Sequence, residues 1–391
     1  MAVIGGGRWA RVLAGVLEGV LSPDLPLTVC SPGNPCAWTK HRAARGRAIR
    51  IAGYADLLAD PSISHVIVAR RARDHARTAL DCLHAGKAVL VEKPFALTRQ
   101  DCDSVVAAAR DGTCRTGLVF LFAPNLRAFS AACLAAGTPT RIDIDWADPA
   151  VETRHGERKG HDRALNVVQD VLPHVWSLFR MLVPDGAARV ASVDVAGGGR
   201  VVTLDIDVAG LHGTAGARVS ARMARVALAR KRRLQVSGPG LDGGIDFSVE
   251  PGVAHVNGRD IDIASGFGSP LARQLRAFLD GHAGDDVHDL AGVARAVEAI
   301  DLTLDALPSI RAGQRRAIAA GRHAAATPSD RAGHDFAMAE IVRAAIDLAG
   351  DMDHEAIARA AWPEGEGRLD ATDRELFADL VAAFHRERGN S

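Results

Sequence analysis

Short apolar runs alternate with helical patterns through the first 120 residues, and that rhythm leaves few architectures open. "AVIGGG" (2–7) reads as a brief strand ending in glycines, after which Trp9, Val12, Leu13, Val16, Leu17 and Val20 recur at helical spacing. "LPLTVCS" (25–31), "SHVIVA" (64–69), "KAVLVEKP" (87–94) and "CRTGLVFLF" (114–122) read as further strands. "DHARTALDCLHAG" (74–86), stopped by Gly86, and "TRQDCDSVVAAARDG" (98–112) read as helices. Near-continuous apolar strands separated by helices predict a parallel sheet covered on both faces.

After about residue 135 the pattern changes. "TRIDIDWA", "ARVASVDVAG", "RVVTLDIDVAG", "GARVSARMA", "RRLQVSG" and "GGIDFSV" alternate apolar and polar residues, as strands with one solvated face do. Helices are expected at 164–183, 270–281 and 287–307. Together they predict an α+β domain with a mainly antiparallel sheet over 123–312. Residues 313–391 predict a small all-α extension. It opens on the linker-like "HAAATPSDRAGHD" (323–335) and continues in helices at 335–349, at 353–362, and from Thr372 through Leu376, Leu380 and Phe384. Glu375 stands three residues after Thr372, as in a capping box.

Composition excludes several function classes. With 47 basic and 47 acidic residues there is no global field to draw nucleic acid or an anionic membrane. The basic run Arg230 to Arg233 lacks aromatic interleaving and reads as a solvated strand edge. Six cysteines lie in the first third without C-x-x-C or zinc spacing, so reduced structural thiols and no metal site are expected. No apolar run approaches the ~20 residues of a membrane helix, and the opening strand carries no signal-peptide pattern. A cytoplasmic protein acting on a small molecule is expected.

Three motifs carry chemistry. Gly5-x-Gly7-x-x-Ala10 fits the dinucleotide fingerprint at a strand-to-helix turn, which makes 1–122 an α/β Rossmann domain. Gly5, Gly6, Gly7, Arg8 and Trp9 are its candidate cofactor cradle. An acid at the end of the second strand would select NAD; Ser31 stands there instead, with Lys40, His41 and Arg42 downstream, so NADP is favoured over NAD. The second motif is Glu92-Lys93-Pro94 at a strand's carboxyl end, where ligands of open α/β sheets bind. Lys93 there can hydrogen-bond a substrate oxygen, although a surface ion pair beside a turn proline has the same appearance. The third is Asp170 and His174, four apart on one helix face. A carboxylate can orient a proton-carrying imidazole, and a capped structural histidine reads alike. Pro173 between them predicts a helix that starts or kinks near Asp170.

Together these pieces resemble the Gfo/Idh/MocA family of dinucleotide-dependent oxidoreductases over about residues 1–312. The specific part is "HARTALDCLHAGKAVLVEKPFALT", followed by D-x-x-x-H in the second domain. The resemblance implies that Lys93 polarises the reacting oxygen, His174 is the general acid/base and Asp170 orients it, with Lys93–Pro94 often cis. Ser31, Arg70, His75, Glu92, Lys93 and Pro94 join the expected cofactor site. Phe122, Asn125, Arg154, Lys159 and Asn166, with His155 and His161, are candidate substrate groups. Arg70 and Arg71 replace the usual Thr-Pro-like turn, and the helical tail has no counterpart in the common pattern. The expected reaction is hydride transfer between NAD(P) and a carbonyl or alcohol carbon of a sugar, cyclitol or related metabolite, in a homo-oligomer (dimer or tetramer). Imine (C=N) reduction and a non-catalytic dinucleotide-binding regulator are the alternatives.

Overall fold

Strand alternation sorts the first half of the chain onto two faces of one sheet. β1 (Ala2–Ile4), β2 (Leu27–Cys30), β3 (Ile49–Ile51), β4 (His65–Val68), β5 (Ala88–Glu92) and β6 (Cys114–Gly117) pair in parallel, in the order β3-β2-β1-β4-β5-β6. Val3, Ile67 and Leu90 face α1 (Arg8–Val20), packing with its Leu13 and Leu17. Ile4, Val66, Val68, Val89 and Val91 turn to the other side, with Leu57 of α2 (Tyr54–Ala59), Ala79 and Cys82 of α3 (His75–His84) and Val105 of α4 (Arg99–Ala108). This is the doubly wound Rossmann order. Its direction reverses between β1 and β4, and the crevice at their carboxyl ends is where such sheets bind ligands. The structure is a computed structural model. It describes residues 1–391 except 23, 33–34, 39–48, 111–112, 155–156, 161–164, 211–215, 265–267, 282–289, 322–325, 350–374, 376 and 383–391, with backbone alone at 35, 154, 157–160 and 346–349.

Two elements here differ from the sequence expectation. β3 is only three residues long, inside an Arg- and Ala-rich stretch with no apolar run to mark it. "CRTGLVFLF" is not one strand: after Gly117 it tightens into a 3-10 turn over Val119–Phe122, which leads into α5 (Pro124–Ala136).

The second half builds a large mixed sheet. β7 (Arg141–Pro149) is followed by a hairpin of β8 (Val151–Arg154) and β9 (Glu157–Gly160), then α6 (Val167–Arg180). β10 (Ala188–Ala196), β11 (Val201–Val208), β12 (Ala217–Ala227), β13 (Lys231–Gly238), β14 (Leu241–Asp246), β15 (Val253–Val256) and β16 (Arg259–Asp260) complete it in the order β10-β11-β12-β7-β13-β14-β15-β16. All pairings are antiparallel except β12 with β7. Ile142, Ile144, Leu204, Val219, Ala221 and Leu234 belong to the core with α6 residues Val168, Val171 and Val175. Charged positions carry cross-strand ion pairs instead: Arg222 with Asp145, Arg218 with Asp205 and Arg233 with Asp246. α7 (Pro270–Asp280) then returns to the first sheet, burying Leu271, Leu275 and Phe278 with α1.

α8 (Val293–Gly321) runs unbroken through residue 312, where the sequence placed a boundary. The expected linker at 323–335 is shorter than its composition suggested, because α9 (Pro328–Ala349) already begins at Pro328. Thr327 and Asp330 cap it reciprocally: Asp330 N–H donates to Thr327 Oγ1 at 3.2 Å, and Thr327 N–H donates to Asp330 Oδ2 at 2.9 Å. Capping chemistry with proline at the first helical position outweighs a loop-like composition. Phe377 and Val381 form a small third core with Ile318, Ala337, Met338, Val342 and Ala345. The helix expected at 353–362 lies outside the described residues. No helix among the described residues is long and apolar enough to cross a membrane, and no group of three or more of their His, Cys, Asp or Glu side chains could hold a metal ion.

The turn Gly197–Gly199 between β10 and β11 has φ of 57, 68 and 101°, and α9 docks on it so closely that a Cβ on Gly198 would lie 2.0 Å from the Gly333 carbonyl oxygen. Gly198→Ala is therefore expected to detach α9. Limited proteolysis should cut 322–349 much faster in the variant, and an unchanged pattern would show that the contact does not hold the helix.

Candidate active site

The cofactor turn is assembled from three strand ends. Gly5 N–H donates to the Cys30 carbonyl and Ala69 N–H to that of Ile4, both at 2.8 Å, which draws the exits of β1, β2 and β4 together. Gly5, with φ of 151°, lies so close to Ala69 that a Cβ would come within 2.2 Å of its carbonyl oxygen. Gly7 is the opposite case. It is exposed, it precedes the first turn of α1, and a Cβ there would meet nothing within 4 Å. Free backbone N–H groups at an open helix N-terminus suit a pyrophosphate, so these residues fit a dinucleotide. Ser31 packs against Gly6, and the buried Trp38 indole donates to the Gly5 carbonyl at 2.9 Å, bracing the turn. Lys40, His41 and Arg42 lie outside the described residues.

Arg8 and Trp9 stand half-buried in the first turn of α1. Trp9 donates to the carboxylate of Glu92, which is buried, and Lys93 N–H lies 3.3 Å from its Oε2. Gly117 abuts that carboxylate: a Cβ there would sit 2.9 Å from it. Glu92 thus ties β5, β6 and the glycine turn together. Burial pushes its carboxyl up to about 6, against the pull of Trp9 and Lys93. Arg70, expected beside the cofactor, reaches Thr78 of α3 at 2.9 Å and Asp74, just before that helix, at 3.4 Å. Arg71 is exposed. The buried His75 ring spans the Pro94 carbonyl at 2.8 Å and the Arg70 carbonyl at 3.1 Å, holding the exits of β4 and β5 side by side. The Lys93–Pro94 peptide is cis.

Lys93 and Asp170 meet across the two domains. Lys93 Nζ donates to Asp170 Oδ1 at 2.5 Å and to the Asp170 carbonyl at 2.9 Å. Both side chains are one-fifth exposed. The other Asp170 oxygen accepts from Arg225 at 3.1 Å. Burial opposes the Asp170 charge, yet Lys93 and Arg225 together hold its carboxyl far below the usual carboxylate range. One turn on, the His174 ring stacks on Trp146 (centroids 5.2 Å, 15°) and meets Phe120 edge-on (4.9 Å, 89°). Arg232, expected on a solvated strand edge, is instead buried on interior strand β13: it lies over the same indole, 3.6 Å from its centroid, and pairs with Asp148. α6 is continuous from Val167 through Pro173, so it does not start near Asp170; Asn166 caps the helix four residues earlier.

Arg225 was not visible as a site residue, although the sequence carries a trace of it. Alternation in β12 fails at Met223, Ala224 and Arg225, three consecutive buried residues. The register slips between Ala224 and Ala227, and Val226 takes φ of 59°. A bulge of this kind re-aims a side chain. Here the re-aimed side chain is Arg225, on Asp170.

The expected substrate groups are placed unevenly. Asn166 is the N-cap of α6: its side-chain oxygen accepts from Val168 and Gln169 N–H, both at 3.0 Å, with Gln169 reciprocating. Phe122 lies among Leu90, Gln274 and Phe278, and Phe120 stands beside the imidazole. Asn125 donates to the Pro251 carbonyl at 2.7 Å. Arg154 and Lys159 lie on the β8–β9 hairpin rather than in an open loop, with side chains outside the described atoms; His155 and His161 are outside the described residues altogether. Burial pushes the thiols of Cys82, Cys102, Cys114 and Cys133 up to about 12, so none offers a thiolate near neutrality.

Glu92 makes a pH prediction. Its folded pKa of about 6 lies above its ordinary 4.5, so its contribution favours folding at low pH and is lost as pH rises through that interval. Glu92→Gln, which keeps an acceptor for Trp9, should gain stability over the parent by up to about 2 kcal/mol between acidic and neutral pH. Urea unfolding at about pH 5 and pH 8 measures this difference. A gap independent of pH would mean that Glu92 carries no burial penalty.

Residues 1–120 match the family model for the Gfo/Idh/MocA oxidoreductase family with its NAD-binding Rossmann fold. No curated protein matches the chain. Among solved structures, a UDP-N-acetylglucosamine 3-dehydrogenase from Acidithiobacillus ferrooxidans superposes with a TM-score of 0.62 at 19% identity, covering 80% of this chain and 98% of its own. A protein of gentamicin A biosynthesis, crystallised with NAD, gives 0.62 at 21% identity over 80% of this chain and 94% of its own. A 3-ketoreductase from Actinomadura kijaniata, crystallised with TDP-benzene and NADP, gives 0.60 at 16% identity over 78% and 95%. About a fifth of this chain falls outside each superposition, the size of the segment from 313 onward. Residues 1–120 are thus similar to the NAD-binding Rossmann domain of the Gfo/Idh/MocA oxidoreductase family, on a chain that shares the overall fold of these solved structures.

Proposed function

We propose that this chain is an NAD(P)-dependent oxidoreductase that moves a hydride between nicotinamide and a carbonyl or alcohol carbon of a sugar, cyclitol or related hydroxyl-rich metabolite. The observation that carries this reading is the Lys93–Asp170 pair, which joins the exit of a Rossmann strand to α6 with His174 one turn away. When bound at the glycine turn, the dinucleotide supplies or takes up the hydride. Lys93, oriented by its contact with Asp170, can donate to a substrate oxygen and stabilise it as negative charge develops. His174 presents an imidazole that can give or take the proton of that oxygen near neutral pH. Trp146 and Phe120 set the plane of its ring and shield it from water. Asp170, ionised throughout the working range, serves as counter-ion and not as proton carrier.

NADP is the favoured cofactor, because the β2 exit presents Ser31 and no carboxylate to repel a 2′-phosphate. The UDP-N-acetylglucosamine 3-dehydrogenase among the structural neighbours agrees with a hydroxyl-rich substrate. The test is fluorescence titration with NADPH and NADH, followed by turnover with a panel of ketoses, cyclitols and sugar nucleotides. Lys93→Ala and His174→Ala are expected to bind cofactor like the parent while turnover falls by about 10²–10⁴-fold. Full activity in either variant would remove that residue from the mechanism. Binding without turnover of any substrate would favour the regulatory alternative.

A further inference from the structure

Asp170 sits between two cations, and the second is held from outside the two-domain core. The Arg225 guanidinium is buried, and both of its terminal nitrogens are engaged. Nη2 donates to Asp170 Oδ2 at 3.1 Å and to the Asn166 carbonyl at 3.2 Å. Nη1 donates to the Leu165 carbonyl at 2.5 Å and lies 3.3 Å from Glu340 Oε1. Glu340 belongs to α9, its carboxylate is nine-tenths buried, and its other oxygen accepts from Gln314 of α8 at 2.9 Å. One unbroken run of charge, Glu340–Arg225–Asp170–Lys93, therefore leads from the C-terminal helices to the exit of β5.

We propose that Glu340 is a positioning residue for the active site: by sharing Arg225 with Asp170, it sets how firmly Asp170 can hold Lys93, which makes the C-terminal extension a working part of the catalytic apparatus. The inference rests on Lys93 and Asp170 being the catalytic pair. Its physical basis is charge balance. With Glu340 ionised, the four side chains alternate in sign and sum to zero. With Glu340 neutral, a buried guanidinium keeps one carboxylate partner, Asp170, and competes with Lys93 for it.

The groups facing Glu340 are Arg225 from β12, Gln314 from α8 and Arg343 from its own helix. Burial raises its carboxyl to about 7 against the pull of all three. As pH falls through neutrality the run should lose its outer anion, so activity attributable to it is present at higher pH and lost on acidification.

Three measurements test this. Glu340→Gln should lower kcat at about pH 8 by about three- to thirty-fold, the range of such couplings, with little change in cofactor affinity or KM. Its deficit should vanish near pH 6, where the parent is itself neutral at this position, and Glu340→Asp should recover part of the loss. Independently of turnover, acylation of Lys93 by acetic anhydride, read by mass spectrometry, should be about threefold or more faster in Glu340→Gln. In the unmodified protein the Lys93 acylation profile should carry a break near neutrality, which tests the idea even if the variant fails to fold. A parent-like kcat and Lys93 acylation in Glu340→Gln, or a Lys93 profile without that break, would overturn the positioning role while leaving the oxidoreductase reading intact. A changed Lys93 reactivity in a protein that turns over no substrate would support the coupling and sink the functional reading instead.

Discussion

Asp170 is the anion on which both halves of the molecule converge. Lys93 reaches it from the Rossmann sheet and Arg225 from the large sheet, at 2.5 and 3.1 Å. Desolvating three charges is costly, and such clusters seldom add much net stability. What the cluster gives is geometry: the Lys93 ammonium can rest in few places once Asp170 is fixed by a helix and an arginine. The same cluster settles a division of labour. A carboxyl held so far below its ordinary range does not exchange protons near neutrality, which in the proposed reaction leaves proton traffic to His174. Orientation of that imidazole comes visibly from Trp146 and Phe120, since the Asp170 oxygens are turned to the two cations.

Much of this was legible in the chain itself. The strand–helix rhythm fixed the parallel sheet, and the change to alternating strands after residue 135 marked the second architecture. Gly5, Gly7, Lys93, Asp170 and His174 all sit at strand exits or on the one helix face that periodicity identified. What escaped did so for definite reasons. Reading 114–122 as a strand puts Phe120 and Phe122 on one face, because strands repeat every two residues. In the 3-10 turn that actually forms, residues two apart diverge, and Phe120 meets His174 edge-on. Asn166 looked like a polar loop residue, yet N-x-x-Q before an apolar run is a capping signature, and the structure uses it so.

Arg225 and Glu340 were out of reach for another reason. Neither belongs to a motif, and they lie 55 residues beyond Asp170 and 115 beyond Arg225 along the chain. A broken alternation in β12 was the sole local trace of the first. The second sits on a helix whose opening residues look like linker. Long-range pairing of single charges leaves no periodic signal; only the packing of α9 on the glycine turn brings the two together.

The position of α7 carries a consequence for how the protein is made. Leu271, Leu275 and Phe278 complete the same apolar layer as Leu13, Leu17, Ile67 and Leu90, so one face of the N-terminal sheet is finished by residues that leave the ribosome some 150 later than β6. The first 120 residues can be a cofactor domain by ancestry without being a self-sufficient unit of folding. Until the chain returns, the growing polypeptide carries a bare apolar surface, and the nascent protein depends on the end of its second half to cover the beginning of its first.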